Sequence, residues 1–195
     1  MTATNLHNSI KPMTTFRQPN FFILTGAPGG GKTTLINKLR ALACRCVDEP
    51  ARKILAEQRA TNGSGLPEKD KQLFAELLLS HSIESFENSS GFMDPVIFDR
   101  SVVDSIGYAA LFGLETERFE KAARQYLYNN TVFVLAPWED IYTTDEERKM
   151  TFEQTIDFHD LIISAYERFN YKLVEVPFDT VESRAQFILE RIGAE

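Results

Sequence analysis

The sequence predicts an α/β fold, a five-stranded parallel sheet with helices on both faces, and three observations lead there. Short apolar runs at 21–24, 44–47, 95–98, 131–136 and 171–176 alternate with stretches of helical spacing. The first run leads directly into Gly26-Ala27-Pro28-Gly29-Gly30-Gly31-Lys32-Thr33-Thr34, which fits the phosphate-loop pattern GxxxxGK(S/T) at every fixed position. The third run ends in Asp99-Arg100, a polar pair at the point where open α/β sheets place their ligand crevice. At 195 residues the chain suits one domain with a substantial core.

Taken in order, residues 1–20 are polar, lack periodicity and carry Pro12 and Pro19, so a flexible N-terminal tail is expected there and a folded domain over 21–195. Leu35, Ile36, Leu39 and Leu42 recur at helical spacing behind the glycine-rich loop, in a helix opening at Gly31. Cys44 and Cys46 lie in the second strand, on one face but too far apart along it for an ordinary disulfide, and are expected as free thiols. That strand ends at Asp48-Glu49-Pro50, and Pro50 suits the first turn of a helix reaching about residue 60. Gly63, Ser64, Gly65 and Pro67 form a turn cluster, followed by a helix over 68–87 with Leu73, Phe74, Leu77 and Leu78 on its inner face. Further helices are expected at 101–112 and 115–128. The segment 137–144 reads as loop, a long helix then runs to about residue 170, and a last helix covers 181–192. No repeat or low-complexity block interrupts the pattern.

The loop chemistry follows from what a triphosphate requires. Many hydrogen-bond donors must converge at close range, and glycines at 26, 29, 30 and 31 let backbone N–H groups turn inward because no Cβ blocks the approach. Gly26, Ala27, Gly29, Gly30, Gly31, Lys32, Thr33 and Thr34 are thus the expected nucleotide-binding residues, with the helix N-terminus aimed at the anion. Lys32 would reach the β and γ phosphates, and the Thr33 hydroxyl would ligate Mg²⁺ together with Asp99, the acidic strand end that such proteins use as metal holder. A carboxylate capping the next helix is the plainer role for Asp99, but Ser101 already supplies a cap. Glu49 ends the second strand where an acceptor hydroxyl would lie and is the candidate base, against a plain role as an acidic residue at a helix start. Arg52, one turn on, is expected to add acceptor contacts. Arg100 either grips a substrate phosphate or carboxylate or forms a structural ion pair, while Asp104 pairs with Ser101 at a helix start. Thr144-Asp145-Glu146-Glu147 fits a capping box, and Arg148 just beyond it would swing over the triphosphate, making 137–150 a lid. His7, His81 and His159 lack metal-ligand spacing.

Several function classes are disfavoured. A formal charge of −7 argues against a surface that coats polymeric nucleic acid. No signal-peptide core and no apolar run near the roughly eighteen residues of a membrane span is present, so a cytoplasmic protein with no membrane partner is expected. A signalling GTPase would carry an Asn-Lys-x-Asp base reader, and Asn37-Lys38-Leu39-Arg40 lacks the Asp. A mechanochemical motor would carry an acidic pair after the strand and an added helical lid domain, whereas here the strand ends Asp-Arg.

Several blocks resemble a known family, the predicted P-loop ATPases and kinases similar to the ribosylnicotinamide kinase domain of NadR-type proteins. The resemblance rests on GAPGGGKTT, on Glu49-Pro50-Ala51-Arg52 with Ile54-Leu55, on Phe98-Asp99-Arg100-Ser101 with Asp104 and Tyr108, and on Asp145, Arg148 and Phe152, and it spans roughly residues 21–192. It implies a nucleoside-kinase-like fold with strand order 2-3-1-4-5 and a site made from the glycine-rich loop, Glu49, Asp99-Arg100 and the Arg148 lid. The expectation is a Mg²⁺-dependent phosphotransferase or NTPase, monomeric or homodimeric, using ATP or alternatively GTP. Its catalytic residues would be Lys32, Asp99, Glu49 and Arg148, and its acceptor a small nucleoside-like hydroxyl compound held by Glu49, Arg52 and Arg100. The rival class is a nucleotide-loaded regulatory or binding module with slow or no hydrolysis.

Overall fold

The computed structural model describes residues 14–143 and 150–193. Its sheet contains β2 (Phe21–Gly26), β3 (Arg45–Val47), β4 (Val96–Asp99), β6 (Thr131–Leu135) and β7 (Lys172–Glu175). These five lie in the order β3-β4-β2-β6-β7 with every neighbouring pair parallel, which is 2-3-1-4-5 in the sheet's own chain order, as expected. Period-two alternation explains why the strands are apolar throughout. Phe21 and Ile23 enter one core layer with Val96, Phe98, Val132 and Val134. Phe22 and Leu24 enter the other with Ile97, Phe133 and Leu135.

Helices fill both faces. Against the second layer pack α1 (Lys32–Ala41), through Leu35, Ile36 and Leu39, and α7 (Val181–Ile192), through Ala185 and Ile188. The first layer is closed by α3 (Lys71–Ser89), α4 (Asp104–Leu111), α5 (Glu117–Gln125) and α6 (Phe152–Arg168). The remaining helix, α2 (Pro50–Ala60), joins α3 through a small cluster of Ala51, Ile54, Phe74 and Leu78. Among the described residues no helix is long and apolar enough to cross a membrane. Cys44 and Cys46 are free thiols, and burial pushes the Cys46 thiol up to about 11.

Several boundaries differ from the sequence expectation, among them the start of α4 at Asp104 rather than 101, and four have a local reason. The tail does not extend to residue 20: β1 (Phe16–Arg17) pairs in parallel with β5 (Tyr126–Leu127), Phe16 stacks on Tyr126 at 5.2 Å, and the Asn129 amide donates to Pro19 O at 2.6 Å. The same pairing ends α5 at Gln125, where helix to residue 128 is expected. Helix α3 starts at Lys71 rather than 68 because Asp70 caps it, accepting from Leu73 N at 2.9 Å. Helix α6 begins at Phe152, later than expected, behind a capping box of Thr151 with Gln154. The Thr144-Asp145-Glu146-Glu147 run lies outside the described residues, as does Arg148.

Candidate active site

The site begins where β2 runs out. Gly26 has φ +129, and a Cβ there would stand 2.1 Å from Leu135 O, so only glycine lets β2 turn beside β6. The loop ends at Gly31, φ +81, the N-cap of α1, whose first turn carries Lys32, Thr33 and Thr34. Lys32 is buried, with Nζ donating to Gly26 O and Ala27 O at 2.9 Å each. Burial, and next the charge of Arg100, bring its pKa down to about 8. Thr33 and Thr34 are exposed at the mouth of the loop.

Two carboxylates flank the loop from the ends of adjacent strands. Asp99 closes β4 in register with Leu24 of β2, and the register places it inside the sheet. It is 6% exposed, and its Oδ1 is buried without a hydrogen-bond partner. Burial, reinforced by the negative charge of Glu49, raises its pKa to about 7. Glu49 follows β3 as the N-cap residue of α2. It accepts from Arg100 Nε at 2.6 Å and from Tyr108 OH at 3.3 Å. Burial works to raise the Glu49 pKa, but the Arg100 guanidinium and the Lys32 ammonium outweigh it and hold the carboxyl below its usual range.

Arg100 takes the structural alternative. Its Nε is on Glu49 and its Nη1 is 3.1 Å from Asp104 Oδ1, and the guanidinium lies 5.5 Å from the Tyr108 ring and 5.7 Å from the Phe158 ring. Its φ of +73 is a left-handed conformation that costs a non-glycine residue about 1 kcal/mol or more, held here by the surrounding ion pairs. Asp104 makes the expected pairing with Ser101, accepting from its N at 2.8 Å, and also accepts from Thr25 Oγ1 and Tyr166 OH. The carboxylate thereby ties β2, the turn after β4, and α6 together.

A cavity of about 650 Å³ is lined by Lys32, Glu49, Arg100 and Tyr108, but not by Asp99 or Asp104. At one end lie the loop residues Pro28, Gly29, Gly31, Lys32, Thr33 and Thr34. Glu49 and Arg100 flank it, and Arg52, Leu55, Arg59, Phe74, Leu111 and Phe112 line the part formed by α2, α3 and α4. Glu49, Arg52 and Arg100 thus share one cavity with Lys32, as the sequence expectation requires, while Arg100 is engaged by its carboxylates.

Arg184 has no signal in the sequence, whereas Trp138 and Tyr142 lie in the segment 137–150 expected as a lid. Arg184 of α7 is 4% exposed and donates from Nη2 to Gly30 O at 2.9 Å across 154 residues. Its guanidinium lies 5.4 Å from the Trp138 ring, which in turn stacks on Phe178 at 5.0 Å. Burial lowers the Arg184 pKa, and its Nε has no hydrogen-bond partner. Tyr142 covers Gly29, where a Cβ would stand 2.5 Å from its ring, and it donates to Met150 O. Tyr142 and Trp138 thus border the loop, and the rest of the expected lid, 144–149 with Arg148, lies outside the described residues.

A buried lysine on a glycine-rich loop, with an orphaned strand-end carboxylate beside it, defines a P-loop nucleotide-binding domain of the kinase-like α/β kind. Residues 21–184 match the AAA domain family, and the chain belongs to it. No curated protein matches by sequence. Among solved structures, the chain is similar to an NadR protein in complex with NR, at 20% identity and TM-score 0.65, over 89% of this chain and 50% of that one. It resembles an NadR protein with NAD and AMP-PNP similarly, at 18% identity and TM-score 0.64, over 90% and 49%. The deoxyadenosine kinase from M. mycoides, with products dCMP and dCDP, aligns at 13% identity and TM-score 0.61 over 89% and 98%. At these identities the likeness establishes the fold, and the chain spans about half the length of the NadR structures.

Proposed function

We propose that the protein is a Mg²⁺-dependent phosphotransferase that moves the γ-phosphoryl group of ATP to the hydroxyl of a small nucleoside-like acceptor. The observation that carries this reading is the single cavity running from the glycine-rich loop to the chamber between α2, α3 and α4, with Glu49 and Asp99 at the ends of neighbouring strands. A site that only held a nucleotide would have no use for the second chamber.

In this reading the loop amides and Lys32 bind the β and γ phosphates, and on nucleotide binding the Lys32 ammonium exchanges the carbonyls of Gly26 and Ala27 for phosphate oxygens. The wall of Trp138 and Arg184 receives the nucleoside part. The donor set fits a hard cation: Asp99 offers a buried oxygen with no other partner, and Thr33 offers a hydroxyl one residue from Lys32. Bound there with the nucleotide, Mg²⁺ would neutralise phosphate charge. Mg²⁺ characteristically relies on few protein ligands and on phosphate oxygens.

Glu49 accepts the acceptor hydroxyl and orients it. Held below the usual carboxylate range by Arg100 and Lys32, it acts by positioning more than by strong proton abstraction, which a loose phosphoryl-transfer transition state tolerates. Arg148 is assigned to the lid, contacting the transferred group on closure. The test is an acceptor-dependent ADP-release assay against a panel of nucleosides and related hydroxyl compounds. Release that no panel member stimulates contradicts the kinase reading and favours the regulatory module.

A further inference from the structure

Glu49 meets the cavity with its two carboxylate oxygens in different states. Arg100 Nε, at 2.6 Å, and Tyr108 OH, at 3.3 Å, both donate to Oε1, and among the described residues nothing hydrogen-bonds to Oε2. Burial raises the Tyr108 pKa, so the phenol keeps its proton and the bond runs from tyrosine to carboxylate. A carboxylate oxygen offers two lone pairs, so these two donors fill Oε1 and leave Oε2 for a third group. Glu49 and Tyr108 both line the cavity.

The first turns of α4 hold this arrangement. Asp104 and Tyr108 stand one turn apart on one face of that helix, and Arg100 folds back against both. Its Nη1 lies 3.1 Å from Asp104 Oδ1 and its guanidinium 5.5 Å from the Tyr108 ring. Asp104 is itself fixed by Thr25 on β2 and Tyr166 on α6. The Tyr108 ring is packed as well, 4.8 Å from Phe158 and edge-on to Phe74 at 6.2 Å. A phenol so enclosed swings away from Glu49 only by displacing its neighbours, which makes its hydroxyl a fixed donor. No step of the proposed transfer uses that hydroxyl.

We propose that Tyr108 is a positioning residue for Glu49: with Arg100 it occupies Oε1, and Oε2 is thereby the one oxygen that meets the acceptor hydroxyl. This rests on the kinase reading for what Glu49 does, but not for how Glu49 is held. Without the Tyr108 hydroxyl, Oε1 regains a lone pair and the acceptor hydroxyl can bond to either oxygen. Only one of those poses aims it at the transferring phosphoryl group, so turnover suffers while binding does not.

The experiment is Tyr108→Phe, which deletes the hydroxyl and keeps the ring contacts, alone and in a Glu49→Gln background. Steady-state kinetics should show kcat about fivefold to tenfold lower with the acceptor KM within about twofold of wild type, a split that a merely structural residue would not produce. In the Glu49→Gln background the same change should cost less than about twofold, because the group through which Tyr108 acts is already altered. Crystal structures of wild type and Tyr108→Phe, solved without nucleotide, should show Glu49 in one rotamer and in two. A kcat within about twofold of wild type overturns the inference, as does an undiminished effect in the Glu49→Gln background. A raised KM with kcat unchanged also overturns it, since Tyr108 would then be a direct acceptor contact. If wild type transfers phosphate to no acceptor, the kinase reading fails and the crystal structures still decide this inference: two rotamers in the variant uphold it. A single Glu49 rotamer in both proteins overturns it whether or not transfer is seen.

Discussion

Backbone builds the glycine-rich end of the cavity, while side chains from three helices build the end proposed to take the acceptor. At the first end, Gly26, Gly29 and Gly31 hold positive φ angles, and neighbours occupy the space a Cβ would need. At the second, Arg52, Leu55, Phe74 and Phe112 project from helices whose backbones are regular. The phosphate end therefore has few permissible sequences and a fixed shape. The end proposed for the acceptor can change its lining residue by residue without altering the fold.

The two strand-end carboxylates show the same division. Glu49 is anchored by Arg100 and Tyr108, whereas Asp99 keeps a buried oxygen with no partner. One is anchored within the protein, and the other keeps the oxygen to which the proposed function assigns the metal.

Substitutions sharpen this comparison. The largest effect is expected for Lys32→Ala, which removes the charge aimed at the transferring group and should lower turnover by at least a hundredfold, about 3 kcal/mol. Steady-state ADP release measures it, and unchanged turnover would sink the assignment of the loop. Gly26→Ala should cost folding rather than only binding, since its Cβ meets Leu135 O at 2.1 Å. A loss of about 3 kcal/mol, lowering the melting temperature by roughly 10 °C, is expected. A melting point within 2 °C or so of wild type would contradict the steric argument.

Asp99→Asn should act in opposite directions on stability and function. The folded protein holds the Asp99 proton up to about pH 7, far above an unfolded aspartate, so the contribution of Asp99 to stability is most favourable below about pH 4 and is lost as pH rises toward 7. The amide escapes this loss. Without nucleotide, the variant should thus gain about 1–2 kcal/mol over wild type at pH 7.5 and nothing at pH 3.5, readable by denaturant titration. Its Mg²⁺-dependent nucleotide affinity should fall more than its metal-free affinity, and equal losses would make Asp99 a structural residue. The smallest effect is expected at the far end: Leu55→Ala should raise the acceptor KM about tenfold while leaving nucleotide affinity alone. A parallel loss of nucleotide affinity would mean the two ends are not separate.

How much was legible follows the same line. The loop, its strand and its helix could be read because glycine spacing and apolar runs are local signals, and strand order 2-3-1-4-5 matched the family resemblance. Asp99 was legible as a polar residue closing an apolar strand. Arg184 was not, because its partner at Gly30 is 154 residues away and nothing in the α7 pattern separates an arginine that turns inward from one that faces water. The short pairing of Phe16–Arg17 with Tyr126–Leu127 was hidden for a similar reason, since two residues carry no period. At Arg100 the sequence left open an ion pair or a substrate grip, and the 2.6 Å contact with Glu49, 51 residues away in the chain, shows the pair.

The measurement that bears most directly on the account is transfer of label from γ-³²P-ATP, with Mg²⁺ present, to a panel of nucleosides, each product identified by mass spectrometry. The account predicts labelled acceptor formed in one-to-one ratio with ADP by the wild type, and a rate at least a hundredfold lower in Lys32→Ala. ADP accompanied by an equal amount of free phosphate, with no labelled acceptor from any member of the panel, would contradict it.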